Sequence, residues 1–343
     1  MIDSNSLQIA VRSGPNSYMV SYQLPEPGME AWHSSKPGAT IVLEASKLGE
    51  DDWSQLGKVS VGVPFEVPSN LGPVPVFRTE HGNKYRYIGV RKIDLEGTSN
   101  FRDIGGYTAG NSSQIRFGKI FRSDNLAKLT PHDWSLIRDL GVNRIIDLRR
   151  SDEKERQKTR IPKNMGIEIT EIPIDVEILG KSELIEHIFS REVLRITNED
   201  MAQMYEDLLG KARSELTQAV SLLIEPAASS TIVHCTAGKD RTGLSVTLVQ
   251  LLCAVPKEQI MSDFLLSNSF RTPARIAAIS AKLKAHKIDL DDIVPYLSAS
   301  KQALLRAFEI LGNQFSGASG YLDFDEMPYS TPIDEWQSGL IYR

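Results

Sequence analysis

The 343-residue chain lacks a long apolar run, which argues against a membrane-spanning helix. A helix that crosses a bilayer needs about 20 consecutive apolar residues. The nearest candidate, residues 244–255, is shorter and is interrupted by Ser245, Thr247 and Gln250. The N-terminus also lacks a basic region followed by an apolar core, so no secretory signal is recognisable. We therefore expect no integral membrane association and a cytoplasmic location, or export without a recognisable signal peptide.

Cysteine is scarce as well, and Cys235 and Cys253 cannot form a disulfide framework. The six histidines are scattered and no Cys-x-x-Cys occurs, so we expect neither a metal nor a cofactor. A basic excess is also absent, because 39 Lys and Arg against 44 Asp and Glu leave a net charge of −5. This balance argues against a nucleic-acid partner. A reducing compartment fits, and a single functional thiol becomes worth seeking. The sequence does not indicate an oligomeric state.

The chain divides into two regions with different sequence patterns, and its length predicts about two domains. Residues 1–92 form short alternating segments separated by turn clusters, which is typical of a small β-sandwich-like domain. They hold no cluster of catalytic residue types, so a packing or spacer role is the simplest interpretation. In residues 93–343 strands alternate with helices, which predicts an α/β domain with a largely parallel sheet.

Local signals predict several helix ends. Thr130 can cap the start of a helix, Pro131 suits its first turn and Gly141 can end it. Helical apolar spacing on both sides of Gly210 predicts two helices with a break at that glycine. The same signal, a threonine followed by a proline, predicts a short helix that begins within residues 331–335.

The most informative stretch is residues 234–243, which read His-Cys-Thr-Ala-Gly-Lys-Asp-Arg-Thr-Gly. An apolar strand leads into it and a helical run follows, so a tight loop joins a strand end to a helix N-terminus. Backbone N–H groups and the positive end of the helix dipole make such a loop an anion site. The residues expected to surround a bound phosphate are Thr236, Ala237, Gly238, Lys239, Asp240 and Arg241.

Cys235 lies at the base of this loop and is the candidate nucleophile. The positive field would hold it as a thiolate, because helix N-termini and nearby cations lower the pKa of a thiol. Arg241 can fold back over a phosphate and bind it through two hydrogen bonds. We interpret His234 as a hydrogen-bonding support of the loop and Lys239 as an added phosphate or headgroup contact. Cys253 is interpreted as an ordinary buried residue of the following helix.

The pattern His-Cys-x5-Arg-Thr resembles the signature of cysteine-dependent protein tyrosine and dual-specificity phosphatases, and the fuller run is similar to an atypical bacterial branch. Further motif-like segments are residues 97–107, 118–126, 145–149 and 262–268. The resemblance covers about residues 90–330. It implies a central, mainly parallel sheet flanked by helices. It also implies metal-independent phosphomonoester hydrolysis through phosphocysteine, with Thr242 donating a hydrogen bond to the departing thiolate. Members of the branch act on phosphotyrosine, often on phosphoserine or phosphothreonine, and on phosphoinositides.

The resemblance also implies a general acid that protonates the leaving oxygen. It places this acid at Asp175, just after the strand that follows the Asp-Leu-Arg segment. Asp240 is the alternative, and it could instead orient the hydrolytic water or hold the loop. Asp103 and Asp124 are weaker candidates that we expect to hold neighbouring arginines or the loop.

Other functions stay open from the sequence. They are an inositol phosphate phosphatase with little activity on proteins, a rhodanese-like sulfurtransferase and a catalytically dead phosphate-binding module. The histidine before Cys235 and the Arg-Thr pair favour a phosphatase that acts on a phosphorylated protein or phosphoinositide. Residues 149–163 hold seven basic residues against three acids. This run is either a solvated helix with i,i+4 ion pairs or a surface that attracts anionic substrates.

Overall fold

The structure is a computed structural model that describes residues 7–13, 16–23, 40–81, 83–110, 113–175, 184–225, 230–322 and 339–342. The strands within these ranges are β1 Leu7–Arg12, β2 Ser17–Gln23, β3 Thr40–Ser46, β4 Ser54–Ser60, β5 Phe65–Glu66, β6 Val76–His81, β7 Lys84–Gly89, β8 Arg102–Asp103, β9 Thr108–Ala109, β10 Ser113–Ile115, β11 Ile120–Ser123, β12 Arg144–Asp147, β13 Glu168–Glu171, β14 Thr231–His234 and β15 Ile341–Tyr342. The helices are α1 Pro131–Asp139, α2 Ser151–Arg156, α3 Leu184–Phe189, α4 Asn198–Lys211, α5 Arg213–Ile224, α6 Arg241–Leu252, α7 Lys257–Phe270, α8 Thr272–Ala285, α9 Val294–Leu297, α10 Lys301–Phe315 and α11 Ala318–Tyr321. No helix in these ranges is both long and apolar enough to cross a bilayer.

The N-terminal strands form two antiparallel sheets, in the orders β1-β2-β5 and β4-β3-β6-β7. Along β3, Leu43 and Ala45 are buried, whereas Val42 is 49% exposed. Such alternation marks an antiparallel sheet with one covered face. The predicted β character of this region is confirmed, and its independence as a sandwich-like domain stays a prediction.

The larger part of the chain is built on a five-stranded sheet in the order β13-β12-β14-β11-β8. All neighbouring pairs are parallel except the pair of β11 with the edge strand β8. The predicted α/β class with a mainly parallel sheet is therefore confirmed. The register aligns Ser123 and Asp147 with His234, so the loops that follow three strands meet at one edge. Ligand sites of parallel sheets lie at this carboxyl edge.

The two faces of this sheet have different covers, because successive side chains along a strand point in opposite directions. Ile146 and Val233 belong to a core cluster that also contains apolar residues of α4, α5, α6, α7 and α10. Their neighbours Ile145 and Ile232 belong to a second cluster. That cluster joins α1 to buried residues of β2, β3, β6 and β7. The N-terminal strands thus share a hydrophobic core with one face of the central sheet.

Helix α1 follows its predicted signals. The Thr130 hydroxyl accepts a hydrogen bond from the Asp133 N–H at 3.2 Å, and the Asp133 carboxylate accepts one from the Thr130 N–H at 2.9 Å. This reciprocal capping box is completed by Pro131 in the first turn. Beyond the helix, Gly141 has a φ of +73°.

The predicted break at Gly210 is wrong. Helix α4 runs through this glycine, and the two helices separate at Ala212 instead. Glycine costs only about 1 kcal/mol in a helix interior, so the packing of buried neighbours such as Leu208 and Leu209 outweighs it. The short helix predicted at residues 331–335 lies outside the described residues.

Candidate active site

The residues between β14 and α6 form a loop that turns around the sulfur of Cys235. The side chain is buried, and the Gly238 N–H donates a hydrogen bond to Sγ at 3.2 Å. Gly238 has a φ of +64°, and a Cβ at this position would lie 2.4 Å from the Ser123 carbonyl oxygen. Only glycine fits both the backbone conformation and this close approach.

A buried ion network supports the loop from below. Arg122 donates to the Gly238 carbonyl at 2.8 Å and to the Asp263 carboxylate at 2.6 Å, and Arg102 donates to Asp263 at 3.1 Å. Burial raises the pKa of Asp263, but the two guanidinium charges outweigh burial and lower the pKa to about 2. Two arginines thus share one carboxylate, and this surplus positive charge favours an anion above the loop.

Residues 97–107 hold the loop from its side. The Asn100 amide donates to the carbonyls of Ala237 and Gly238, both at 3.1 Å. The Asp124 carboxylate accepts hydrogen bonds from the backbone N–H groups of Ser99 and Asn100. The loop is therefore fixed by groups from three separate motif segments.

Asp103 and Asp124 are predicted to hold neighbouring arginines or the loop, but the hydrogen bonds of both carboxylates within the described ranges go to other segments. Asp103 accepts hydrogen bonds from the N–H groups of Gly105 at 2.7 Å and Gly118 at 2.6 Å. Asp124 orders the backbone before Asn100, as described above. Arg102 and Arg122 pair instead with Asp263 of α7. No sequence pattern indicated this role, because Asp263 lies on a helix far along the chain.

Arg241 is held in position by Glu153 of α2. Its two terminal nitrogens donate to the Glu153 carboxylate at 2.6 and 2.8 Å, and the Thr236 hydroxyl donates to the same carboxylate at 2.5 Å. Burial raises the pKa of Glu153, but the Arg241 charge and hydrogen bonds lower it to about 2. Sequence reasoning missed Glu153, which stands in the basic run as one of its three acids.

His234 lies beneath the loop, where it contacts backbone and carboxylate. Its Nδ1 is 3.3 Å from the Cys235 carbonyl oxygen, and its Nε2 is 3.6 Å from the Asp147 carboxylate. Burial lowers the pKa of His234, although Asp147 opposes that shift. Arg149 donates to Asp147 at 2.7 Å, which keeps this arginine of the basic run inside the protein. This environment agrees with a supporting role for His234.

The two candidate acids occupy different surroundings. Asp175 is 68% exposed, and its carboxylate is 3.4 Å from the Arg150 guanidinium. The carbonyl of Ile174 accepts a hydrogen bond from Arg241 at 3.3 Å, which ties the backbone before Asp175 to the site. Asp240 lies inside the loop, where it accepts a hydrogen bond from the Tyr205 hydroxyl at 3.2 Å.

Lys239 lines the cleft, and its ammonium group is held by neighbouring backbone carbonyls. Its ammonium group donates to the backbone carbonyls of Tyr296 at 2.7 Å and Ser298 at 2.9 Å, and it lies 3.3 Å from Asp240. Burial lowers the pKa of Lys239, although the Asp240 charge opposes this shift. The ammonium is therefore engaged at the C-terminal end of α9, and a contact of Lys239 with a phosphate or headgroup stays a prediction.

The loop opens into a cleft of about 640 Å³. Its walls include Cys235, the loop residues up to Arg241 except Gly238, and parts of α2, α3, α8 and α9. Arg150 and Arg156 of the basic run line this cleft and also pair with Asp152, so an i,i+4 ion pair is present and the attraction of anionic substrates stays a prediction. Asp240 lines the cleft as well, whereas Asp175 is not among its described lining residues.

Two further predicted residues lie around α6. The Thr242 hydroxyl is buried and has no hydrogen-bond partner among the described residues. Cys253 is buried at the other end of the helix, and burial raises the pKa of its thiol to about 12. In the described ranges, His, Cys, Asp and Glu side chains form no group of three that could hold a metal ion.

Comparison with known proteins identifies the chain. Triple specificity protein phosphatase PtpB of Mycobacterium tuberculosis is 27% identical over 266 residues, which cover 66% of this chain and 93% of PtpB. A tyrosine-protein phosphatase of Nostoc commune is 26% identical over 149 residues, which cover 43% of this chain and 48% of that protein. The crystal structure of P. aeruginosa TpbA covers 63% of this chain and 95% of its own at 12% identity, with a TM-score of 0.21 that carries no weight here.

A profile described as the tyrosine phosphatase family matches residues 93–327, which is more than half of the chain. The matched region contains the Cys235 loop, Arg241 and the ion network beneath them. The chain therefore belongs to the bacterial tyrosine phosphatase family, and it is a phosphatase.

Proposed function

We propose that the protein hydrolyses phosphomonoesters through a phosphocysteine intermediate, with Cys235 as the nucleophile. The observation that carries this proposal is the loop itself, in which the Gly238 N–H faces Sγ and α6 begins at Arg241. A phosphate bound there would accept hydrogen bonds from loop N–H groups and from Arg241. These donors also stabilise the charge that develops on the equatorial oxygens as the reaction proceeds.

The reaction has two steps. Cys235 Sγ attacks phosphorus, the P–O bond to the leaving group breaks, and a general acid protonates the leaving oxygen. Water then attacks the phosphocysteine while the former acid, now a carboxylate, takes a proton from it, the P–S bond breaks and phosphate is released. Thr242, whose hydroxyl is buried and unpartnered among the described residues, donates to the departing thiolate. His234 and Glu153 act as positioning residues, for the strand end and for Arg241.

Asp175 is the proposed general acid, and Asp240 the alternative. Asp175 is exposed and next to Ile174, whose carbonyl contacts Arg241, so a rotation of its side chain can bring the carboxylate toward the leaving group. Catalytic hydrogen bonds often form only once substrate is bound. Both oxygens of Asp240 already contact Tyr205 or Lys239, which suits a role in fixing the loop or orienting water.

We propose phosphotyrosine as a substrate, together with phosphoserine or phosphothreonine. The tyrosine phosphatase family and the triple specificity named for PtpB support this choice. Phosphoinositides are a further proposed substrate class, supported by the arginines that line the cleft. Residues 1–92 are proposed to be a separate domain that packs against the phosphatase domain of residues 93–343.

The nucleophile is tested by substituting each cysteine in turn. Cys235→Ser should abolish hydrolysis of p-nitrophenyl phosphate, because a hydroxyl stays protonated where a thiol can ionise. Acid quenching of wild-type protein during turnover should trap one phosphoryl group on the peptide that contains Cys235, as measured by mass spectrometry. Cys253→Ser is the matched control and should retain wild-type kcat, since its thiol is buried away from the cleft. Substantial turnover by Cys235→Ser would refute the mechanism.

A further inference from the structure

Tyr205 of α4 is a buried titratable side chain that the mechanism leaves without a role. It is fully buried, and its hydroxyl donates a hydrogen bond to Asp240 Oδ1 at 3.2 Å. Burial and the neighbouring Asp240 carboxylate raise the pKa of Tyr205 well above its ordinary value, because both disfavour a phenolate. The hydroxyl therefore stays protonated near neutral pH and remains a hydrogen-bond donor to Asp240.

Aromatic packing fixes the Tyr205 ring. The ring lies edge-on to Phe264 of α7, with centroids 6.1 Å apart and planes at 83°, an arrangement that aromatic pairs prefer. Phe264 is itself buried against Gly243 of α6, where a Cβ would lie 3.0 Å from the phenylalanine ring. Because three helices hold this pair of rings, the hydroxyl reaches Asp240 from a fixed position. The charge of Cys235 also acts on Tyr205, so this position lies close to the nucleophile.

The two oxygens of Asp240 are held by different donors. Oδ1 accepts from Tyr205, and Oδ2 lies 3.3 Å from the Lys239 ammonium group. The Asp240 side chain is 18% exposed and lines the cleft, where water can reach it. An ionised carboxylate has about four lone-pair positions, so these two donors leave positions for a water. A carboxylate that faces donors acts as an acceptor, whereas a general acid must carry a proton of its own.

We propose that Tyr205 is a positioning residue, which holds the Asp240 carboxylate so that it orients the water that hydrolyses phosphocysteine. This inference rests on the proposed function, because the water attacks the intermediate formed on Cys235. One proton of the water passes to the Asp175 carboxylate, and the other stays on the oxygen and forms a hydrogen bond to Asp240. The water oxygen bonds to phosphorus, and the electron pair of the P–S bond returns to Cys235 as the thiolate.

This arrangement affects only one of the two steps. Formation of phosphocysteine requires Cys235, Arg241 and the general acid, and no water takes part in it. Decay requires a water whose oxygen faces phosphorus, and a fixed acceptor contributes the orientation of that water. Loss of the Tyr205 hydroxyl should therefore slow decay and leave formation unchanged.

Rapid-quench measurement of phosphocysteine with p-nitrophenyl phosphate gives separate rate constants for its formation and decay. In Tyr205→Phe we expect the decay constant to fall by about 10-fold, the usual contribution of a hydrogen bond to a charged group, and the formation constant to stay at the wild-type value. The phosphorylated fraction of Cys235 during turnover should rise. The value of kcat/KM should not change, because it reports only the steps up to departure of the leaving group.

Tyr321→Phe is the matched control. Tyr321 is also fully buried, and its hydroxyl donates to the Leu209 carbonyl at 2.8 Å, one turn beyond Tyr205 on the same helix. This variant loses a buried hydrogen bond to α4 but keeps the contact between Tyr205 and Asp240. Both of its rate constants should equal those of wild type.

A double-mutant cycle tests whether Tyr205 acts through Asp240. Asp240→Ala should itself slow decay, because the acceptor for the water is lost. If Tyr205 acts through this carboxylate, adding Tyr205→Phe to Asp240→Ala should slow decay no further. Two independent effects would instead multiply.

Three outcomes would overturn the inference. The first is decay at the wild-type rate in Tyr205→Phe, and the second is slower formation with unchanged decay, which would make Asp240 the acid. The third is multiplication of the two effects in the cycle. Failure of the proposed function is distinguishable from these, because wild-type protein would then form no phosphocysteine at all. That result would overturn both the mechanism and the role of Tyr205, whereas the three outcomes above leave the nucleophile in place.

Discussion

The carboxylate of Glu153 determines how Arg241 meets a substrate. It occupies both terminal nitrogens of the guanidinium group and also accepts from Thr236. An arginine with several rotatable bonds would otherwise lose rotamer freedom when it binds phosphate. Because Glu153 fixes the Arg241 guanidinium group before substrate binds, part of the side-chain conformational entropy is already lost in the folded protein. A bound phosphate then meets an arginine whose orientation is set.

The two candidate acids make a prediction at the scale of single residues. Asp175→Asn should lower kcat by about 10²–10⁴-fold, which is the usual contribution of general acid–base catalysis. The loss should be smaller for p-nitrophenyl phosphate than for a phosphotyrosine peptide, because p-nitrophenol needs less protonation on departure. Steady-state rates across pH should also lose one limb of the bell-shaped profile.

Asp240→Asn is the matched substitution for that experiment. It should leave the ratio of the rates on the phosphotyrosine peptide and on p-nitrophenyl phosphate as in wild type, since Asp240 is already engaged by Tyr205 and Lys239. If Asp240→Asn instead shows the larger loss with the phosphotyrosine peptide while Asp175→Asn resembles wild type, the two roles must be exchanged.

At the scale of elements, α7 supports the active site although it contributes no residue to the Cys235 loop. Asp263 on this helix pairs with both Arg102 and Arg122, and Ser267 contacts Asn100. Asp263→Asn should lower the free energy of unfolding by about 3–5 kcal/mol, because it leaves two buried arginines without their counter-ion. Urea titration measures this loss.

Glu258→Gln makes the same kind of change on an exposed residue of α7 and serves as the control. It should cost no more than about 1 kcal/mol, the value of an acid near a helix N-terminus. Similar losses for the two variants would show that the buried network is not what stabilises the loop.

The sequence was sufficient wherever the determining interactions are local. The cap at Thr130, strand β14 and the turn at Gly238 depend on residues within a few positions of each other. It was insufficient for side chains that meet only after folding. Asp263 is 141 residues from Arg122, and Glu153 is 88 residues from Arg241, so no spacing rule connects them. The error at Gly210 has a related cause, because tertiary packing outweighed local propensity.

At the scale of the whole molecule, the shared core predicts that both parts of the chain unfold together. Phe77 on β6 is fully buried and packs against Tyr18 and Phe65 in the cluster that also covers one face of the central sheet. Phe77→Ala should lower the free energy of unfolding by about 3–5 kcal/mol. Loss of phosphatase activity on heating should coincide with loss of circular dichroism, at a lower temperature than in wild type.

Val42→Ala on the neighbouring strand β3 is the control, because its side chain is 49% exposed, and it should shift the transition little. Two separate transitions, with activity surviving the first, would contradict a single cooperative unit. They would support independent folding of residues 1–92.

The burial of Cys253 has a practical consequence. Both thiols are buried, but the pKa of the Cys253 thiol is raised to about 12, so it stays protonated near neutral pH, whereas Cys235 lines the cleft. We therefore expect a small alkylating reagent applied to folded protein to react at Cys235 alone, because a protonated thiol such as that of Cys253 does not react. The amount of reagent consumed counts the intact active sites in a preparation, and a bound ligand that slows its consumption can be detected without any turnover.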